Sequence, residues 1–221
     1  MSSEGSNSDK EIEQTQQSWV EKFCLSPRNI FFCYIDSEYL KSNFNFTGLK
    51  KYSKNFRTVV KILRDEVSLD LEKMSKEQKV QIENETQLIY GLLHARYIVT
   101  DEGMRRMAKK YQKGIFGKCP QVFCQRQPCL PIGRSDTPHK GAVKLYCPKC
   151  RDVYLAKTKF RRIDGAYFGT TFAHMLLNVH PQLSPREAPR KYVPKIFGFE
   201  IHPSVSPYQE EEEEDEKEKK N

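Results

Sequence analysis

The chain has 221 residues, 38% of them hydrophobic and 30% charged, with a formal net charge of +8. That length suits one large domain or two small ones, and the apolar share is below the ~45–50% usual for globular chains, so part of the sequence is expected outside the core. No run of about 18 apolar residues occurs, which excludes a transmembrane helix, and the polar residues 1–17 lack the apolar region of a secretory signal.

Charge is unevenly placed. Residues 1–18 carry a net −3 and residues 209–221 a net −5, which leaves +16 for residues 19–208. Both acidic ends, 1–17 and 209–221, lack the apolar residues needed to offset ordering entropy and are expected to be disordered.

From 18 to 113 the pattern is helical. Trp19, Val20 and Phe23 fit one helix face, and Asp36 can cap a short helix carrying Tyr39 and Leu40. Ser53 is the expected cap of the next helix, where Phe56, Val59, Val60 and Leu63 recur at helical spacing. Glu77 to Tyr97 is the longest candidate, with Val80, Leu88, Leu92 and Ala95 as its apolar stripe. Gly91 inside it costs about 1 kcal/mol against Ala, which points to another backbone packed close by. Thr100 can cap a helix bearing Met104, Met107, Ala108 and Tyr111, and Gly114 can end it.

After Gly114 the chain becomes dense in Gly, Pro and Cys. Val143–Tyr146 and Asp152–Leu155 alternate like strands around Cys147-Pro148-Lys149-Cys150, and Thr170–Val179 reads as one more helix. From Ser184 the prolines favour an extended segment.

Seven cysteines without an export signal favour metal binding over disulfides. Cys119 and Cys124 are spaced C-x4-C, and Cys147 and Cys150 are spaced C-x2-C. Two such pairs suit a tetrahedral zinc held by four thiolates at about 2.3 Å, one structural Zn2+ per chain. Cys129 offers a competing spacing with Cys124, but the Cys-Pro of Cys119 echoes that of Cys147, so Cys129 is read as packing. Cys24 and Cys33 are read as core, and no histidine has a partner at ligand spacing. Four sulfurs leave no open position, which argues for structure rather than hydrolysis.

The fold class expected is α+β. An all-helical N-terminal domain (18–113) precedes a four-cysteine zinc-ribbon domain with a following helix (114–183) and an extended C-terminal segment (184–208). No phosphate loop, nucleophile elbow or kinase catalytic motif is present, so the chain is read as non-catalytic. Arg105, Arg106, Lys109 and Lys110 precede the cysteine cluster, and Lys157, Lys159, Arg161 and Arg162 follow it. This leaves two readings: a zinc-ribbon nucleic-acid-binding or transcription-associated factor, or a protein-binding module anchored by the aromatic segment 192–203.

Several stretches resemble one family in the same order. They are Leu88-Ile89-Tyr90-Gly91-Leu92-Leu93-His94-Ala95-Arg96-Tyr97, Leu130-Pro131-Ile132-Gly133, Val143 to Cys150, Asp164 to Thr170, and Phe197-Gly198-Phe199-Glu200-Ile201-His202-Pro203. They resemble the casein kinase II regulatory beta subunit. The resemblance implies a homodimer through the ribbon, with Pro120, Val122, Val153 and Tyr154 as contacts. It implies two bound catalytic alpha subunits, held by Tyr192, Lys195, Ile196, Phe197, Phe199, Ile201 and His202, with the two phenylalanines as anchors. The resulting tetramer would be a serine/threonine kinase of cytoplasm and nucleus acting on acidic protein substrates, with no membrane and no nucleic-acid partner. Ser6 and Ser8 carry acids three positions on, Asp9 and Glu11, and are expected phosphorylation sites.

Three departures from the family stand out. The acidic loop proposed to bind polyamines is here interrupted, with Asp65, Glu66, Asp70 and Glu72 separated by apolar residues and Lys73. Arg134 stands where an apolar dimer residue is expected, and the acidic tail at 210–216 is not a family feature.

Overall fold

The computed structural model describes residues 17–66, 74–187, 193 and 195–202. Ser6, Ser8, Asp70, Glu72, Tyr192 and the acidic stretches 1–16 and 209–221 lie outside the described residues.

Helix α1 (Trp19–Leu25) opens on a reciprocal cap, in which Ser18 Oγ accepts from Glu21 N and the Glu21 carboxylate accepts from Ser18 N. Asp36 precedes α2 (Ser37–Lys41) without a side-chain capping bond. Its carboxylate instead accepts from Tyr97 Oη at 2.6 Å and binds Arg106. Helix α3 (Phe56–Leu63) starts two residues after the expected position. Ser53 donates to Glu85 at 2.6 Å, and Asn55 is the N-cap, because Glu85 gathers both residues onto the neighbouring helix.

That neighbour, α4 (Lys76–Tyr97), is capped by Ser75 and Gln78 and runs through the centre of the fold. Ile82, Ile89, Leu92 and Leu93 are buried on it, but Val80 is 61% exposed and does not belong to the apolar stripe. The neighbour at Gly91 is the ring of Tyr167, a side chain and not a backbone. Thr100 Oγ1 accepts from Gly103 N to cap α5 (Asp101–Gln112), and Gly114 follows its end at φ +66°.

Beyond it, β1 (Leu130–Ile132), β2 (Lys144–Tyr146) and β3 (Val153–Leu155) form an antiparallel sheet in that order, with Leu130 opposite Tyr146 and Lys144 opposite Leu155. Strand β1, with Pro131 at its middle, shows no alternating pattern in the sequence. Helix α6 (Phe172–Val179) packs on the sheet, and its start is two residues later than expected. A second sheet pairs β4 (Lys195–Ile196) with β5 (Phe199–Glu200), where only extended chain was expected.

One continuous core joins the helices to the sheet. Phe31, fully buried, meets Phe116, Phe160 and Phe168 at ring separations of 5.4, 4.3 and 6.3 Å. His94 is fully buried on α4. Its Nδ1 lies 2.8 Å from the Tyr167 carbonyl, and its Nε2 accepts from Cys33 N at 3.1 Å, so both ring nitrogens are satisfied.

Candidate metal centre

Each cysteine pair sits on a tight chain reversal. Cys119 N donates to the Gln127 carbonyl, and Cys147 N donates to the Asp152 carbonyl, closing one turn at each end. The residue after the second cysteine is left-handed in both, Gln125 at φ 53° and Arg151 at φ 60°. The turns bring Cys119, Cys124, Cys147 and Cys150 together, with all four sulfurs within 4.8 Å of one another. Cys119 and Cys150 sulfurs are 3.8 Å apart and those of Cys124 and Cys147 are 4.0 Å apart. A tetrahedron with arms of about 2.3 Å has edges of about 3.8 Å, close to both of these separations, so the four donors are grouped as a bound metal ion requires. All seven cysteines are free thiols.

The local electrostatics agree with that use. Burial pushes the Cys147 thiol up to about 11, against amide N–H groups of Cys150 and Lys149 that favour its thiolate. Cys150 is also partly buried, but the Tyr154 hydroxyl and the Asp152 amide outweigh burial and bring it down to about 7. A divalent cation supplies the positive charge that makes four adjacent thiolates stable. Cys129 is fully buried but lies outside the four-sulfur group, 3.8 Å from the Gln127 carbonyl. Cys33 is buried too, and half-buried Cys24 lies 3.2 Å from Tyr90 Oη.

Strand β3 is an edge of the three-stranded sheet. Val153 and Leu155 point outward from it, while Tyr154 faces the metal site with its hydroxyl 3.2 Å from Cys150 Sγ. Val122, on the first cysteine turn, is 80% exposed, and Pro120 and Arg134 are also exposed. Leu155, at 65% exposure, shares this apolar surface with Val153 and is absent from the contacts expected from the sequence. The period-2 alternation of β3 is the signal that would have found it.

The segment expected to dock a partner forms a two-residue hairpin. Phe197 and Gly198 occupy its turn at φ 51° and 89°, as the tight hairpin twist requires. Phe197 is 97% exposed and Phe199 79%. Lys195 and Glu200 pair across the strands at 3.2 Å, Ile196 is exposed, Ile201 is half-buried and His202 is exposed.

The basic cluster on α5 is largely engaged. Arg105 and Arg106 bind Glu102, Arg106 also reaches Asp36, and Lys110 donates to the Ile30 carbonyl. Burial lowers the Lys110 pKa. Among the described residues no helix is long and apolar enough to cross a membrane.

The sequence pattern of the family described as casein kinase II regulatory subunit matches residues 18–200. A putative casein kinase II subunit beta-4 of Arabidopsis thaliana is 43% identical over 90% of this chain and 71% of its own length. Casein kinase II subunit beta of Dictyostelium discoideum is 41% identical over 90% and 74%. The Schizosaccharomyces pombe subunit beta is 40% identical over 97% of this chain and 91% of its own. With four clustered cysteines, no catalytic kinase motif and this match over most of its length, the chain belongs to the casein kinase II regulatory subunit family.

Proposed function

We propose that the chain is the non-catalytic scaffold of a tetrameric serine/threonine kinase. In this reading one Zn2+ on Cys119, Cys124, Cys147 and Cys150 fixes the ribbon of a domain spanning 114–183. Two ribbons dimerise through Pro120, Val122 and Val153 of the expected contacts, with Leu155 in place of Tyr154, whose hydroxyl turns to Cys150. The segment 184–208 binds a catalytic alpha subunit, and the chain modulates the stability and substrate choice of that subunit. Ser6 and Ser8 are phosphorylated by the assembled enzyme, which works in cytoplasm and nucleus.

The hairpin carries this reading. An isolated two-stranded hairpin is marginal in water, and a bulky residue at positive φ is uncommon. Here both occur together, with two phenylalanines almost wholly in solvent. Such a surface is stable and useful when a partner covers it, and buried aromatic anchors typically carry about 2 kcal/mol or more each. Pull-down with the catalytic subunit tests it. The double variant Phe197→Ala, Phe199→Ala should lose capture while keeping its melting temperature; undiminished capture would refute the docking role. A nucleic-acid role is less well supported, since most of the α5 cations already have protein partners.

A further inference from the structure

One acid-free run of positive charge lies in the helical region, away from the cysteines in sequence. Residues 42–64 contain six cations, Lys50, Lys51, Lys54, Arg57, Lys61 and Arg64, and no acid. Four of them line an open cleft of about 550 Å³. Its floor is apolar, formed by Phe46, Phe56 and Val60, and its rim carries Lys50, Arg57, Lys61 and Arg64. Arg57, Val60, Lys61 and Arg64 fall at helical spacing on α3 and its C-terminal cap, so one helix face presents three cations around an apolar side chain.

These charges are available. Among the described residues no ion pair neutralises any of the four rim cations. Arg64 is pinned by neutral oxygens only, the Leu40 carbonyl at 2.8 Å, the Lys41 carbonyl at 3.0 Å and Asn43 Oδ1 at 2.8 Å. Its guanidinium stands 5.3 Å from the Phe46 ring centre. It is thus fixed in place with its charge uncompensated, and the acid lining the cleft is Glu66.

We propose that this cleft docks an acidic segment of a protein substrate, one that carries an apolar side chain among its carboxylates. The rim selects negative charge and the floor selects the apolar group. Phe46 is buried and offers no free face for stacking a base, which favours a peptide over a nucleic acid. Residues 209–221 of the chain itself contain no apolar side chain to fill the floor. The substrate role rests on the regulatory-subunit reading, while the binding step does not.

The test uses fluorescence anisotropy on the full chain. The probe is a labelled nonapeptide of eight glutamates around one central leucine, with an alanine counterpart. The leucine peptide should bind at least about fivefold tighter, and rising salt should weaken both. Arg57→Glu with Lys61→Glu should weaken the leucine peptide about tenfold or more. The pair Lys109→Glu, Lys113→Glu at the end of α5 should change it less than about twofold. All four side chains are exposed, so thermal melting should confirm that both variants fold. Equal loss from the two pairs, equal binding of the two peptides, or tighter binding of an oligothymidylate would each overturn the proposal. So would binding that emerges only when residues 209–221 are removed. In the reconstituted kinase the Arg57/Lys61 variant should raise KM for a substrate bearing such a segment at unchanged kcat. Peptide binding without kinase capture would sink the subunit reading alone; kinase capture without peptide binding would sink this one alone.

Discussion

A Cβ placed on Gly91 would stand within van der Waals overlap of Cδ1 of Tyr167. The central helix and the turn at 165–167 therefore approach as closely as a glycine allows. Gly91→Ala gains up to about 1 kcal/mol of helix propensity. It also forces the partly buried Tyr167 ring to move, and overpacking of that kind costs about 1–3 kcal/mol. The expected net effect is a loss of about 1–2 kcal/mol in urea unfolding. Adding Tyr167→Ala should make the pair less damaging than the sum of the two single changes. A more stable Gly91→Ala would show that the ring yields freely.

Next to this contact, His94 gives stability a pH dependence. Burial, opposed in part by the Tyr167 carbonyl, holds its pKa down to about 4, against about 6.5 in the unfolded chain. Between those values the unfolded state binds the extra proton, so stability rises with pH across that window and falls as pH drops from 6.5 toward 4. The full window amounts to about 3 kcal/mol. Unfolding free energies measured from about pH 7 down to about pH 5 should decline, and His94→Gln should remove part of the slope. An identical slope in the variant would assign the pH dependence to other groups, such as the thiolates.

The cysteines make a sharper distinction. Four sulfurs face one another and the fifth, Cys129, does not. Cys150→Ser should lower bound zinc below one equivalent by elemental analysis and lower the melting temperature. Cys129→Ala should keep the zinc and cost only packing, about 1 kcal/mol for a small cavity. Chelation of wild type should unfold the sheet, because metal affinity and folding are linked there. Zinc loss from Cys129→Ala equal to that from Cys150→Ser would mean that ligands exchange.

These features differ in how far the sequence reveals them. The α5 helix is legible because its cap is local, Thr100 with Gly103, and α4 is legible because its apolar residues recur over many turns, although it begins one residue before the expected Glu77. The cysteine cluster is legible because spacing alone nearly dictates it. What escapes the sequence depends on contacts distant along the chain. Ser53 has the look of a cap, but Glu85, 32 residues on, claims its hydroxyl. Gly91 signals crowding correctly, but only the fold supplies Tyr167 as the neighbour. Strand β1 is three residues long with a central proline, too short for any alternation to register. The basic cleft is hidden because its cations are spread from Lys50 to Arg64 and gather only when α3 forms against Phe46.

The outer face of β3 leads to the last prediction. Edge strands in soluble proteins are usually blunted by charge or proline, since bare edges invite pairing. Strand β3 is an edge, yet it turns Val153 and Leu155 to solvent, and Val122 is exposed on the neighbouring cysteine turn. Three exposed branched aliphatic residues in a ribbon of short strands are costly unless another surface covers them. If a second copy does so, Val122→Glu with Leu155→Glu buries two unpaired charges per subunit and should shift the chain to monomer by light scattering. Zinc content should stay at one per chain, because neither side chain is a ligand. The hairpin is untouched, so the monomeric variant should still capture a catalytic subunit, one for one. A variant that remains dimeric would move the interface elsewhere, with exposed Pro120 and Arg134 the next residues to change.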